Sequence, residues 1–158
     1  DWGQEGKYNH VRLGFSFRMD ALQGAALGVK LPHLDAWNAA RRRAATAYQA
    51  GLPAGLALPA PIGEDHACHV YAVRVPDRDA VRERLHRAGI ATNVHYPIPV
   101  HLQPAYAALG YANGAFPISE AFGRETLSLP LFPELSPDDV ATVIEAVGRV
   151  TSDALVQP

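Results

Sequence analysis

The chain has 158 residues, of which 48% are hydrophobic and 19% are charged, and its formal net charge at pH 7 is −2. This size and composition predict a soluble globular domain with room for a buried core. The near-zero charge argues against a nucleic-acid-binding protein, whose basic residues would cluster on one face, and no apolar run reaches the roughly 18 residues of a membrane span.

The cysteine content and the N-terminus indicate the cellular compartment. Cys68 is the only cysteine, which excludes an internal disulfide framework and predicts a reducing, cytoplasmic location. Residues 1–6 are polar and glycine-rich and do not resemble a signal peptide. Met19 is the only methionine, so the sequence is consistent with a piece cut from a longer protein.

The first third predicts a connector followed by two helices. Residues 1–13 have no hydrophobic period and indicate a connector. A helix is predicted from Asp20, a suitable N-cap, to Pro32, which breaks it. A longer helix is predicted over residues 33–50, with the arginines at 41–43 on its solvated face. The apolar stripe predicted for its buried face consists of Leu34, Trp37, Ala44, Ala45 and Tyr48.

Two glycines, Gly24 and Gly28, lie four residues apart on one face of the first predicted helix. Small residues at this spacing indicate a close backbone approach to a neighbouring element, in this or another subunit. In a lipid bilayer the same spacing would favour a dimerising span, but the polar Gln23 and Lys30 flank or interrupt the segment and exclude that interpretation.

The middle of the chain predicts a strand, a helix and a second strand. Residues 69–75 are rich in β-branched and aromatic residues and predict a strand. Asp77 is predicted to cap a helix that ends at Gly89, and residues 90–94 are predicted to form another short strand. This order indicates a small α/β layer.

His66, Cys68 and His69 precede the first predicted strand and have side chains that bind metals. In an extended chain, however, His66 and Cys68 share one face while His69 points to the other. The sequence also has no partner Cys-x-x-Cys pair. The sequence therefore predicts no metal site.

A proline-rich connector at residues 95–106, with the sequence HYPIPVHLQPAY, is the most distinctive stretch of the chain. Each proline fixes its own φ and biases the preceding residue towards extended geometry, so the connector is predicted to be stiff. Its two histidines and two tyrosines suit hydrogen bonding to a polyhydroxylated or phosphorylated ligand. The alternative is a crossover whose histidines only satisfy nearby backbone groups.

The C-terminal third predicts three helices and an extended segment. One helix is predicted over residues 101–109, a second opens at Pro117, and residues 127–133 are predicted to be extended. Ser136 is predicted to cap the last helix, which has proline at its first position and acids in its first turn. The apolar stripe of that helix has helical spacing and consists of Val140, Val143, Ile144, Val147 and Val150.

Short motifs occur in order along nearly the whole chain: KY at 7–8, GxxxRMDxxQxAA at 14–26, KL at 30–31, LDxW at 34–37, HVY at 69–71, GIAT at 89–92, HYPxPxH at 95–101, FPxxE at 116–120 and LSLP at 127–130. Together they resemble the C-terminal part of the DegT/DnrJ/EryC1/StrS family, the sugar-nucleotide aminotransferases that use pyridoxal phosphate.

The resemblance implies a fold-type I aminotransferase, with a large domain and a smaller C-terminal domain, that works as a homodimer. This chain would then be an α/β (α+β) small domain with a small sheet flanked by helices. Residues 1–32 would be a leading segment and interface helix from the large-domain side, and residues 33–158 the small domain. The lysine that binds the cofactor would lie upstream of Asp1, because neither Lys7 nor Lys30 stands in the family's cofactor-lysine setting.

The resemblance also implies roles for five residues. Ser16 and Arg18 match the segment that reaches the cofactor phosphate of the neighbouring subunit, although the family has asparagine where this chain has Ser16. His95, Tyr96 and His101 match the segment that lines the sugar-nucleotide pocket, where they would orient hydroxyls or pyrophosphate. No residue of the chain is assigned a catalytic proton transfer.

The implied activity of the full-length protein is transfer of an amino group from an amino acid such as glutamate to a nucleotide-linked, dTDP-type keto-sugar. Such reactions serve deoxyamino-sugar, cell-surface polysaccharide or antibiotic biosynthesis. This chain alone, without the lysine, is expected to be inactive. Two alternatives stay open: a pyridoxamine-phosphate-dependent sugar dehydratase of the same family, in which histidine replaces the lysine, and a non-catalytic dimerisation or regulatory fragment.

Overall fold

The structure is a computed structural model that describes residues 2–15 and 19–155. The chain divides into two compact units, each built from two separate stretches. The first unit comprises Asp1–Val29 and Tyr96–Arg124, and the second unit comprises Lys30–His95 and Glu125–Pro158. The predicted division between residues 32 and 33 stays a prediction.

The described residues form a mixture of helices with a small sheet, which confirms the predicted α+β class. The α-helices and β-strands are α1 (Ala21–Lys30), α2 (Leu34–Gly51), β1 (Tyr71–Arg74), α3 (Arg78–Arg87), α4 (Pro117–Glu125), β2 (Thr126–Leu129) and α5 (Pro137–Leu155). Short 3-10 helices occur at Leu31–His33, Val100–Leu102 and Pro104–Leu109.

The sheet of the second unit pairs β1 and β2 antiparallel, in a register that sets Tyr71 opposite Leu129. The strand predicted over residues 90–94 is wrong, because only a single bridge, from Asn93 to Ser128, forms in that stretch. Two backbone donors that a strand would need are already used. Ile90 N–H donates to the last turn of α3 at Leu85, and Val94 N–H donates to the Asn93 side chain.

The apolar core lies in the second unit, where residues of α2, β1, α3, β2 and α5 pack together. It includes Ala45, Tyr48, Tyr71, Val73, Val81, Leu85, Leu127, Val143 and Val147. The predicted stripe of α2 is correct in its C-terminal half, but Leu34 is exposed. A Cβ atom on Gly51 would lie 2.7 Å from Ile144 Cδ1, so α5 approaches the C-terminal end of α2 closely.

The predicted helix caps are partly confirmed. Ser136 Oγ accepts the Asp139 N–H at 3.1 Å, and Asp139 Oδ2 accepts the Ser136 N–H at 3.2 Å, which forms the predicted cap of α5. Gly89 ends α3 with a φ of +81°, as predicted. Asp77 does not cap α3 with its side chain, because its backbone is left-handed (φ 47°) and not in the extended conformation that an N-cap needs.

The helix predicted over residues 101–109 is wrong as a single α-helix. The stretch forms two 3-10 helices that are separated at Gln103, whose backbone is extended (φ −67°, ψ 136°). Pro104 explains the break, because a proline disfavours helical geometry in the residue before it. Gly110 closes the second 3-10 helix with a φ of +74°.

Helix α1 has no buried residue. A Cβ atom placed on Gly24 or Gly28 would meet nothing within 4 Å among the described residues. The close approach predicted at these glycines is therefore not made within the described part of this chain.

Candidate functional site

A cavity of about 420 Å³ lies within the first unit. One wall comes from the N-terminal segment, which the sequence predicted only as a connector, and the other comes from the proline-rich connector. The lining residues are Trp2, Gln4, Tyr8, His10, Arg12, Leu13, Gly14, Tyr96, Ile98, Val100, Gln103, Ala105 and Tyr106. Aromatic rings and a few hydrogen-bonding groups are the usual lining of a small-molecule site.

The N-terminal wall is a tight loop that its own hydrogen bonds hold closed. Gln4 and His10 form an antiparallel bridge, and Val11 N–H donates to Gly3 O at 2.9 Å. His10 Nδ1 lies 3.0 Å from Trp2 O. Because a carbonyl oxygen can only accept, Nδ1 carries the proton, and in the neutral ring Nε2 is then an acceptor.

Of the predicted site residues that the structure describes, which are His95, Tyr96 and His101, only Tyr96 lines this cavity. Its side chain is 62% exposed, and its ring meets the Tyr8 ring edge to face, with centroids 5.1 Å apart and an interplanar angle of 80°. Such aromatic pairs favour the edge-to-face geometry by about 0.5–1.5 kcal/mol. Tyr8 and Tyr96 therefore form an aromatic corner between the two walls.

His101 belongs to the first unit but does not line the cavity. Its Nε2 lies 3.1 Å from Glu120 Oε1, and both side chains are buried. The Glu120 carboxylate also accepts N–H groups from Gly114 at 2.9 Å and Phe116 at 3.2 Å. The pKa of Glu120 lies below its usual range chiefly because its carboxylate accepts the Gly114 N–H. The hydrogen bonds from Phe116 and His101 lower it further. His101 thus ties the connector to the turn before α4, and a role in substrate binding stays a prediction.

His95 belongs to the second unit, where both ring nitrogens have partners. Asn93 Oδ1 accepts the Val94 N–H at 2.9 Å, which turns the Asn93 amide nitrogen towards His95 Nε2 at 3.2 Å. Nε2 is therefore an acceptor, and Nδ1 carries the proton that it donates to Ser128 Oγ at 2.9 Å. This geometry favours the structural alternative for His95, and its predicted contact with substrate stays a prediction.

The predicted cofactor-binding residues, Ser16 and Arg18, lie outside the described residues. A different arginine, Arg12, lines the cavity, and no sequence pattern had singled it out. A proline-free loop with scattered aromatics gives no periodic signal, so the residues of the N-terminal wall could be found only through their packing.

The two lysines do not fit covalent attachment of a cofactor. Lys7 is exposed, with its ammonium group 4.9 Å from the centroid of the Tyr8 ring. Lys30 is also exposed, 5.7 Å from the centroid of the Trp37 ring. Neither lines the cavity, and neither is desolvated as a reactive lysine would be.

Histidines, cysteine and acids do not converge into a metal-binding group within residues 2–15 and 19–155. His66 Nδ1 instead accepts the Cys68 N–H at 2.9 Å, which closes a local turn. None of the described helices combines the length and apolarity that crossing a lipid bilayer requires.

Comparison with known sequences shows similarity to sugar aminotransferases. The profile of the DegT/DnrJ/EryC1/StrS aminotransferase family matches residues 2–148. A pleiotropic regulatory protein of Geobacillus stearothermophilus is 42% identical over 152 residues, which cover 93% of this chain and 41% of that protein. The dTDP-3-amino-3,4,6-trideoxy-alpha-D-glucose transaminase of Streptomyces venezuelae is 41% identical, with coverages of 93% and 40%.

Solved structures give the same result. DesV of S. venezuelae superimposes with a TM-score of 0.77 and 40% identity, over 94% of this chain and 41% of DesV. NtdA of Bacillus subtilis with bound cofactor PMP gives a TM-score of 0.74 and 28% identity, over 90% of this chain and 34% of NtdA. The chain therefore spans about two fifths of the length of the curated relatives it matches.

Proposed function

The chain belongs to the DegT/DnrJ/EryC1/StrS aminotransferase family, and we propose that it is the C-terminal part of an enzyme that aminates a nucleotide-linked keto-sugar. The amino donor would be an amino acid such as glutamate, and the cofactor pyridoxal phosphate. The observation that carries this proposal is the cavity of the first unit. Its aromatic corner includes Tyr96, which belongs to the HYPxPxH motif that resembles the family.

The cavity is suited to part of such a substrate. Its volume of about 420 Å³ falls within the range of small-molecule sites. Tyr8 and Tyr96 offer ring faces and hydroxyl groups for a sugar or a base, and Arg12 offers a charge for phosphoryl groups. In this proposal these residues bind and orient the substrate and carry out no proton transfer.

Pyridoxal phosphate supplies the electron sink that amino transfer requires. Because Lys7 and Lys30 do not fit its covalent attachment, we propose that the attaching lysine lies outside this chain. Ser16 and Arg18 are proposed to bind the cofactor phosphate across a dimer on the strength of the family resemblance alone.

The proposed dimer is supported by helix α1. Leu22, Leu27 and Val29 of this helix are 82%, 52% and 74% exposed. Exposed apolar surface of this kind is covered in most soluble proteins, which fits the predicted interface helix. The cytoplasmic location stays a prediction from the single cysteine.

The full-length protein, supplied with pyridoxal phosphate, ¹⁵N-glutamate and a dTDP-linked keto-sugar, tests the proposal. We expect mass spectrometry to find ¹⁵N in the sugar product. Borohydride reduction of the same sample should label a lysine outside this chain and leave Lys7 and Lys30 unlabelled.

The other outcomes would contradict the proposal in distinguishable ways. A sugar product that has lost oxygen without gaining nitrogen would indicate the dehydratase. A protein that binds neither cofactor nor sugar would indicate the non-catalytic alternative, and stoichiometric labelling of Lys7 or Lys30 would place the cofactor lysine inside this chain.

A further inference from the structure

The amide of Gln103 is buried in the first unit, and both its oxygen and its nitrogen have hydrogen-bond partners. The residue is 8% exposed. Its Oε1 accepts the His10 N–H at 2.9 Å, and its Nε2 donates to Tyr8 O at 3.1 Å and to Ile98 O at 3.4 Å. Because the oxygen must face the N–H and the nitrogen must face the two carbonyls, the amide has a single orientation.

These hydrogen bonds join the two walls of the cavity. Tyr8 and His10 belong to the N-terminal wall, while Ile98 and Gln103 belong to the connector. Ala105 N–H adds a parallel bond to His10 O at 2.9 Å. The direction of the Gln103 side chain is itself fixed, because Pro104 holds the Gln103 backbone extended between two 3-10 helices.

The Gln103 amide also supports an unusual backbone conformation at Tyr8. Tyr8 has a φ of +65°, which a residue other than glycine adopts only when its surroundings hold it. Its N–H donates to Gln4 Oε1 at 2.9 Å, and its carbonyl accepts from Gln103. Held at both ends, Tyr8 presents its ring to Tyr96.

We propose that Gln103 is a positioning residue for ligand binding in the cavity. It fixes the Tyr8–His10 wall against the connector, so the aromatic corner is formed before the ligand arrives. Preformed walls improve affinity because binding then orders fewer groups. The identity of the ligand, a nucleotide-linked keto-sugar, rests on the proposed function, whereas the positioning role does not.

The chain offers a matched control in Gln49 of the second unit. Its Nε2 donates to Pro59 O at 3.4 Å and Ala60 O at 3.0 Å, and its Oε1 accepts the Ile62 N–H at 3.3 Å. This is the same set of one backbone donor and two backbone acceptors. Gln49 lines no wall of the cavity.

The experiment compares Gln103→Met with Gln49→Met in the full-length enzyme, because methionine keeps the length of the side chain and removes the amide. We expect both variants to lower the thermal midpoint. Gln103→Met should raise KM for the keto-sugar about tenfold with a much smaller change in kcat, and Gln49→Met should leave KM unchanged. Deuterium uptake at residues 4–12 should rise only in Gln103→Met.

Equal KM values in the two variants, or unchanged exchange at residues 4–12 in Gln103→Met, would overturn the proposal. If the wild type proves inactive, the proposed function fails, and the exchange comparison still decides whether Gln103 holds the wall. If Gln103→Met does not fold, Gln103→Asn replaces it with the same expectations, since its shorter side chain stays polar but withdraws the amide from its backbone partners.

Discussion

The two units of this chain differ in the side chains that they bury, which are mostly apolar in the second unit. The second unit contains the apolar core, in which Val73 and Leu85 are fully buried. Among the described residues of the first unit, the side chains of Gln103, Glu120 and His101 are buried, and all three are polar. A buried polar group is tolerated only when it is hydrogen-bonded. Gln103 and Glu120 satisfy this condition through backbone groups, and His101 satisfies it through Glu120. The shape of the first unit therefore depends on specific hydrogen bonds, whereas the shape of the second unit depends mainly on the packing of its apolar core.

The largest effect is expected from a cavity in the apolar core. Leu85→Ala should lower the free energy of unfolding by about 2–5 kcal/mol, because it removes buried methyl groups and leaves a void. Urea denaturation of the purified protein measures the change. The matched control is Leu109→Ala in the first unit, where the leucine is 62% exposed and the cost should stay within about 0.5 kcal/mol. If both variants lowered the free energy of unfolding by similar amounts, the stability of the second unit would not depend on its apolar core.

The contrast between the units explains which features the sequence could predict. Apolar periodicity located α2, α5 and the core, because residues three or four apart on a helix share a face. The prolines predicted a stiff connector, and Tyr96 of that connector lines the cavity, although its contact with substrate stays a prediction. Asp77 was misjudged because a left-handed backbone is not visible in the residue type.

The polar contacts of the first unit could not be predicted in the same way. Gln103 and its partners His10 and Tyr8 are 93 and 95 residues apart, and no local period encodes such a pair. A glutamine before a proline predicts an extended backbone and gives no partner for the amide. The N-terminal wall of the cavity was missed for the same reason.

The next largest effect on stability is expected from removing the negative charge of Glu120. Its pKa is lowered in the folded chain, chiefly by the Gly114 N–H. The ionised carboxylate therefore stabilises the fold fully above the ordinary glutamate pKa, about 4.3, and this contribution is lost as the pH falls through the lowered pKa. In Glu120→Gln that loss should be absent, so the stability advantage of the wild type at pH 7 should shrink on acidification.

Unfolding free energies of the wild type and Glu120→Gln, measured from pH 7 to pH 3, give this difference directly. Glu83→Gln is the control, because Glu83 forms an exposed i,i+4 pair with Arg87 in α3 and such pairs contribute little. Its difference from the wild type should vary little with pH. A difference for Glu120→Gln that is equally flat would mean that the carboxylate is not the group that holds this turn.

The smallest effect on stability is expected from removing a helix cap, and the chain offers two caps of the same type for comparison. In α5, Ser136 and Asp139 cap each other's N–H groups. In α1, Asp20 Oδ1 accepts the Gln23 N–H at 2.8 Å, and Gln23 Oε1 accepts the Asp20 N–H at 3.1 Å. Ser136→Ala should cost about 1 kcal/mol of global stability, because α5 packs in the core and unfolds with it.

Asp20→Ala should cost less than Ser136→Ala in the free chain, because α1 buries no residue and a ten-residue helix without tertiary packing is marginal on its own. The removed cap should then appear as faster amide exchange confined to residues 21–30. In the proposed full-length dimer, the partner subunit would cover α1, so the stability of this helix would affect dimerisation. There, Asp20→Ala should weaken the dimer measurably in sedimentation experiments, and an unchanged dimer dissociation constant would contradict the interface role of α1.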